Sequence, residues 1–133
     1  MLVRDTPDTV IPETSDARLL SASGDLADVL FARRVDATQR TLLDYGITTG
    51  DVVAARLSDR GEVLVLVFAA RRLGASVALI DPAKGPVATT RAVRASAAAL
   101  LVVDRGVDPA RTIARGLVAV VATVDHVVHD AAA

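Results

Sequence analysis

The stretch Tyr45–Pro82, Y-G-I-T-T-G-D-V-V-A-A-R-L-S-D-R-G-E-V-L-V-L-V-F-A-A-R-R-L-G-A-S-V-A-L-I-D-P, constrains the fold more than any other part of the chain. Gly50-Asp51 leads into the apolar run Asp51–Leu57, and Ser76–Ile80 is a second such run closed by Asp81-Pro82. Between them lies a segment long enough for a crossover, so the stretch suits a right-handed βαβ unit and hence a parallel sheet. Its centre, Val63-Leu64-Val65-Leu66-Val67-Phe68, is β-branched and continuous and is compatible with a strand returning beside Asp51–Leu57 as a hairpin. The Ala69–Gly74 tail, ending in a glycine suited to a C′ position, favours a helix buried on most sides. Ser58 or Asp59 is placed to cap it, and Glu62 completes a capping-box spacing with Asp59.

Upstream, residues 1–17 hold Pro7, Pro12 and several acids and are expected to form a flexible arm, with one extended piece at Thr9–Ile11. Arg18–Ser21 suits a short strand closed by a turn at Ser23-Gly24-Asp25. From Asp25 to Asp44 the apolar positions step by three and four. Ala27, Phe31, Val35, Thr38, Leu42 and Tyr45 align on one side, with Leu26, Leu30 and Ala37 adjoining. Asp28, Asp36 and Arg40 should face water, and Gly46 ends the helix.

Downstream, Lys84-Gly85-Pro86 is a loop with Pro86 at the first helical position, followed by a helix over Val87–Ala98 and a strand over Leu100–Val103. Pro109–Arg115 suits one or two helical turns and Leu117–Ala122 a fourth strand, after which the pattern is lost. The alternation predicts an α/β fold: three layers, α/β/α, around a mostly parallel sheet of about four strands. Residues 18–128 are expected to form the one domain, and 129–133 a tail.

Composition narrows the function classes. A net charge of −1 gives no footprint for nucleic acid or an anionic membrane, and three aromatic residues offer few platforms for stacking bases. With no cysteine, disulfides, zinc–thiolate sites and cysteine nucleophiles are ruled out. No apolar run reaches the ~18 residues of a spanning helix, and the N-terminus lacks the apolar core of a signal peptide, so the expected compartment is the cytoplasm.

Few residues suggest chemistry. Asp81 follows a strand at the edge where α/β sheets bind ligands, whereas Asp51 lies at the opposite edge; each also reads as a turn residue. Lys84, Arg91 and Arg94 bracket the start of the third helix, where free amides attract an anion, and otherwise form a solvated face. Arg33-Arg34 and Arg71-Arg72 are surface pairs or partner contacts. Asp125-His126-Val127-Val128-His129-Asp130 is the one cluster with metal-ligand chemistry, His126 and His129 sharing a face if the segment is helical. It lacks further ligands, and the simpler reading is an exposed tail. No metal or cofactor is expected, and no nucleophile–base pair or carboxylate pair is legible.

Taken together, three segments resemble the N-terminal part of the adenylate-forming superfamily of acyl-CoA synthetases, peptide-synthetase adenylation domains and luciferase-like enzymes. G-D-L-A-D-V-L with L-L-D-Y-G-I-T-T-G-D resembles the family's opening helix and its G-(I/V)-x-x-G-D. Ser58–Glu62 followed by F-A-A-R-R-L-G-A resembles its next helix and glycine turn. S-V-A-L-I-D-P resembles its strand ending in Pro-(L/I)-Asp-Pro, and A-V-R-A-S-A-A-A-L-L-V-V-D the helix and strand after that. The likeness runs from Arg18 to Val128. It implies a scaffold, because the family's phosphate loop, adenine-contacting segment, ribose-binding Asp and catalytic Lys lie beyond the matched region. The expectation is therefore a catalytically incomplete interaction module, self-associating as a homodimer or held by a heterologous protein. The alternatives are one piece of a split acyl- or aryl-adenylating enzyme and a small-molecule binder with Asp81, Lys84, Arg91 and Arg94 as its residues.

Overall fold

A computed structural model describes residues 22–108 and 120–128. In chain order its elements are α1 (Ala22–Asp44), β1 (Val52–Arg56), α2 (Arg60–Arg72), β2 (Ser76–Leu79), α3 (Pro86–Ser96), β3 (Leu100–Val103), β4 (Val120–Thr123) and α4 (Val124–Val127). The expectations for residues 1–21, Pro109–Arg115, 117–119 and 129–133 fall outside the described residues.

The chain divides into two units inside α1, after Ala32. In the first, the described residues are the opening turns of α1, where Leu26, Val29 and Leu30 are exposed and Phe31 is half-buried. Ser23, Gly24 and Asp25 belong to this helix and do not form the expected turn. Once a helix is nucleated, each added residue gains a hydrogen bond, and one glycine costs only about 1 kcal/mol against that.

The second unit, from Arg33, contains the sheet. Its four strands are all parallel in the order β2-β1-β3-β4. The crossover from β1 to β2 runs one way and that from β2 to β3 runs back. Right-handed connections then place α2 and α3 on opposite faces. β3 lies inside, and all four of its residues are buried, as a strand covered on both sides requires. On the α3 face, Ala54, Ile80, Val93, Leu101 and Val103 form one cluster, with Ala92, Ala98, Val107 and Val121 packed against it. Val53, Ala55, Leu100 and Val102 alternate to the other face, where Val65, Leu66, Ala69 and Ala70 of α2 are also buried.

The β-branched run Val63–Phe68 is helix. Asp59 caps it, its Oδ1 accepting from Glu62 N–H at 3.0 Å. At the far end, Gly74 N–H reaches Arg71 O and Ala75 N–H reaches Ala70 O, both at 3.0 Å, which closes a Schellman turn with Gly74 at φ +78. The helix is not buried on most sides. Only its sheet-facing stripe is covered, while Leu64 and Phe68 are 51% and 39% exposed. α1 stops in the same way: Gly46 N–H donates to Leu43 O at 2.9 Å and Ile47 N–H to Leu42 O at 3.0 Å. Val35, Thr38 and Leu42 are buried along the expected stripe, but Ala27 is exposed, and Tyr45 lies past the helix end and is exposed as well. Pro86 opens α3 at its first position as expected. β4 continues to Thr123, and the segment after it makes a helical turn, Val124–Val127.

Candidate functional site

In a parallel sheet, ligands bind beyond the carboxyl ends of the strands where neighbouring crossovers diverge. Here that point lies between β1 and β3. β1 delivers Arg56 and Ser58 to this edge, β3 delivers Asp104 and Arg105, and β2 delivers Asp81 and the loop to Gly85.

The crevice is spanned by the chain's own groups. Asp104 Oδ1 accepts Ser58 N–H at 3.0 Å, and its Oδ2 accepts the Ser58 hydroxyl at 2.7 Å. Beside this clasp, Arg105 Nη2 donates to Glu62 Oε2 at 3.0 Å. A helix N-terminus in this position is a ready anion site. At α2, however, an anion would meet the carboxylates of Asp59, Glu62 and Asp104. Arg56 extends the opposite way, its Nη2 donating to Pro82 O and Lys84 O, each at 2.7 Å, and so ties the β2–α3 loop to the end of β1.

The residues singled out from the sequence are dispersed over this surface. Asp81 and Lys84 share that loop and are both exposed; Asp81 Oδ1 accepts Ala83 N–H at 2.9 Å, shaping the turn. Arg91 and Arg94 are exposed on α3, but neither belongs to its first turn, and Arg94 lies in its last. The helix begins at Pro86, too early for these arginines to flank its free amides. Asp51 stabilises the turn before β1, its Oδ2 accepting Thr48 N–H at 2.8 Å. Of the two arginine pairs, Arg33, Arg71 and Arg72 are exposed and Arg34 is half-buried; Arg72 bonds Asp36 and Gln39.

His126 is exposed, with Nε2 3.6 Å from Asp125 Oδ2. His129 and Asp130 lie outside the described residues. Among the described residues, no group of three His, Asp or Glu side chains is placed to hold a metal ion. Asp125 and His126 do line an open depression of about 590 Å³ with Thr41, Asp44 and Tyr45. A hydrogen bond from the Thr123 side chain, opposed in part by desolvation and aided by the backbone N–H of Asp125 and then by the charges of His126 and Arg105, holds the Asp125 carboxyl below its ordinary value.

Sequence reading missed Arg56 and Asp104 and gave Ser58 only a capping role. A polar residue closing or following an apolar strand was the available signal, since such positions project from the carboxyl edge of the sheet.

The four-stranded parallel order and its helices match solved structures closely enough to identify the architecture. O-Succinylbenzoate coenzyme A synthetase (MenE) from Bacillus subtilis, in complex with AMP, aligns with a TM-score of 0.65 at 18% identity, covering 73% of this chain and 25% of that one. The Klebsiella oxytoca NpsA N-terminal subdomain aligns with a TM-score of 0.61 at 18% identity, covering 71% and 23%. The chain has the fold of the N-terminal subdomain of adenylate-forming enzymes. It spans a quarter or less of the length of these structures. An artificially fused NpsA-ThdA adenylation-PCP di-domain aligns equally well, with 17% of its length covered. No family model and no curated protein matches the sequence. At this identity the adenylate-forming likeness is one of fold. Among the described residues, no helix is long and apolar enough to cross a membrane.

Proposed function

We propose that this chain is an association module built on the adenylate-forming N-terminal fold, catalytically incomplete in its own residues, acting in the cytoplasm and pairing with a second copy. The observation that carries this reading is the apolar surface outside the core. Leu79 is 67% exposed at the end of β2, and Leu64 and Phe68 are 51% and 39% exposed on α2. We read these exposed apolar side chains as surface that a second protein chain covers. The Ser58–Asp104 clasp supports the non-catalytic part, because it fills with internal hydrogen bonds the crevice in which a parallel sheet takes its ligand.

A second reading, one piece of a split acyl- or aryl-adenylating enzyme, draws on the structural neighbour MenE, solved in complex with AMP and with an acyl-adenylate intermediate. In that case a second chain would supply the ATP site, and Asp81, Lys84, Arg91 and Arg94 are where a ligand contact is to be sought.

Light scattering at several protein concentrations, with and without ATP and a panel of acyl acids, separates the two readings. A dimer indifferent to every ligand is the expected result. A monomer at all concentrations overturns the self-association reading. A co-purifying chain with a Ser/Thr/Gly-rich phosphate loop, restoring adenylation when mixed, establishes the split enzyme.

A further inference from the structure

The β2 strand is an edge of the sheet; among the described residues its one strand neighbour is β1. Ser76 N–H donates to Asp51 O at 3.0 Å and Ile80 N–H to Ala55 O at 2.8 Å, both toward β1. Backbone direction alternates along a strand, so Val77 and Leu79 turn their N–H and C=O groups away from the sheet. That makes two donors and two acceptors in a row. Edge strands are protected by short length, which β2 with its four residues shares, and further by proline, lysine or a bulge. Ser76-Val77-Ala78-Leu79 contains none of the three, and Leu79 adds an exposed apolar side chain.

We infer that β2 pairs with β2 of a second copy, antiparallel across a two-fold axis at Ala78, joining two four-stranded sheets into one of eight strands. The occupant and the register both follow from the strand. A perpendicular two-fold keeps equivalent faces on the same side, so opposed residues must share a face. Setting Val77 opposite Leu79 of the second copy satisfies this. It also makes two hydrogen-bonded pairs of the narrow antiparallel type, which together use every outward backbone group of Val77 and Leu79. Leu79 then leaves water to lie beside Val77 of the second copy, a cross-strand apolar pair.

Charge favours the same arrangement. β2 is preceded by the end of α2, where Arg71 is exposed, and followed by exposed Asp81. Antiparallel pairing places Asp81 beside Ala75 of the second copy, next to the helix end that bears Arg71, and the two-fold repeats this opposition at both ends. Arg72, the neighbour of Arg71, is engaged with Asp36, and Lys84 lies three positions beyond Asp81, outside the paired span. A parallel or heterologous strand would not bring basic and acidic ends together twice.

This inference rests on the self-association proposed above, and the test separates the two. Sedimentation of the full chain is compared with that of Leu79→Pro and Leu79→Lys. Proline at 79 removes an N–H that faces away from β1, so intramolecular pairing is retained. The expected result is a dimer for the parent chain and a dissociation constant raised at least tenfold in both variants, with unchanged circular dichroism. Should Leu79→Pro disturb the fold, Leu79→Lys decides. The chain has no cysteine, so Ala78→Cys is a clean reporter. A non-hydrogen-bonded antiparallel pair brings Cα atoms to about 4.5 Å, within disulfide reach, and oxidation should give a covalent dimer. A parent dimer whose affinity neither Leu79 variant changes, with no cross-link through Ala78→Cys, overturns the β2 interface and leaves self-association standing. A parent chain monomeric at every concentration overturns both.

Discussion

Asp104 and Ser58, 46 residues apart, meet where β1 and β3 end: one carboxylate oxygen accepts the Ser58 N–H at 3.0 Å and the other its hydroxyl at 2.7 Å. The clasp joins adjacent parallel strands just past the last ladder pair, Arg56 with Val103, and holds the start of α2. Hydrogen bonds to a charged group contribute more than neutral ones, but this pair is partly open to solvent. Asp104→Ala is therefore expected to cost about 1–2 kcal/mol, and Ser58→Ala less, since the backbone bond survives. Denaturant titration of both single variants and the double variant checks this. The pair should be non-additive, and a double variant equal to the sum of the singles would mean that the bonds contribute independently.

Ala97 caps α3 in the left-handed region, at φ 55 and ψ 40, and is the one described non-glycine residue with a positive φ. Its N–H donates to Arg94 O at 3.1 Å and that of Ala98 to Val93 O at 3.3 Å, the same closing pattern that α1 and α2 build with glycine. A side chain in this conformation costs on the order of 1 kcal/mol, which glycine avoids. Ala97→Gly should stabilise the protein by about 0.5–1 kcal/mol and raise Tm by a few degrees. A neutral or lower Tm would place the residue outside that region in solution.

Gly74 carries two demands at once. Its φ of +78 is unfavourable for any side chain, and a Cβ there would lie 2.9 Å from Thr49 Oγ1. Thr49 is itself fixed, donating to Leu73 O at 3.2 Å, while Gly50 N–H donates to Gly74 O at 2.9 Å. Gly74→Ala is thus expected to lose about 2 kcal/mol or more. Gly106, with φ +82 but nothing within 4 Å of a built Cβ, isolates the backbone contribution. Gly106→Ala should cost only about 1 kcal/mol, and equal losses at both sites would remove the contact from the explanation.

These cases show what the sequence could and could not carry. Local chemistry was legible: the Asp59 cap with Glu62, the glycine stops at Gly46 and Gly74, Pro86 at a first turn, and the alternation that makes a parallel sheet. Each is set by residues within a few positions of one another. The helical state of Val63–Phe68 was decided by its ends, Asp59 and Gly74, against the β propensity of its middle. The β2-β1-β3-β4 order depends on where each crossover returns, which no local pattern encodes. The Ser58–Asp104 clasp and the Arg56 anchor on Pro82 and Lys84 are long-range pairings formed by that order, and so escaped a reading along the chain. Exposure of Leu64 and Phe68 escaped it too, because a continuous apolar helix does not reveal which of its stripes meets the sheet.

Asp125 and Thr123 give the pH prediction. The Thr123 side chain hydrogen-bonds the Asp125 carboxylate, the backbone N–H of Asp125 adds a second hydrogen bond, and His126 and Arg105 add favourable charge, so its folded-state pKa is lowered from the ordinary 3.8. For a depressed carboxylate the stabilising contribution is present above the unfolded value and is lost as pH falls through the folded one. The loss therefore falls in the acid range below 3.8, and at neutral pH the contribution is present in full. Carboxyl carbon shifts followed by NMR should place the Asp125 midpoint under that of a free aspartate. Thr123→Val removes the largest cause and should bring it back toward the ordinary value, whereas His126→Gln should move it less. If the midpoint stays low in Thr123→Val and rises in His126→Gln, charge, and not the hydroxyl, sets it.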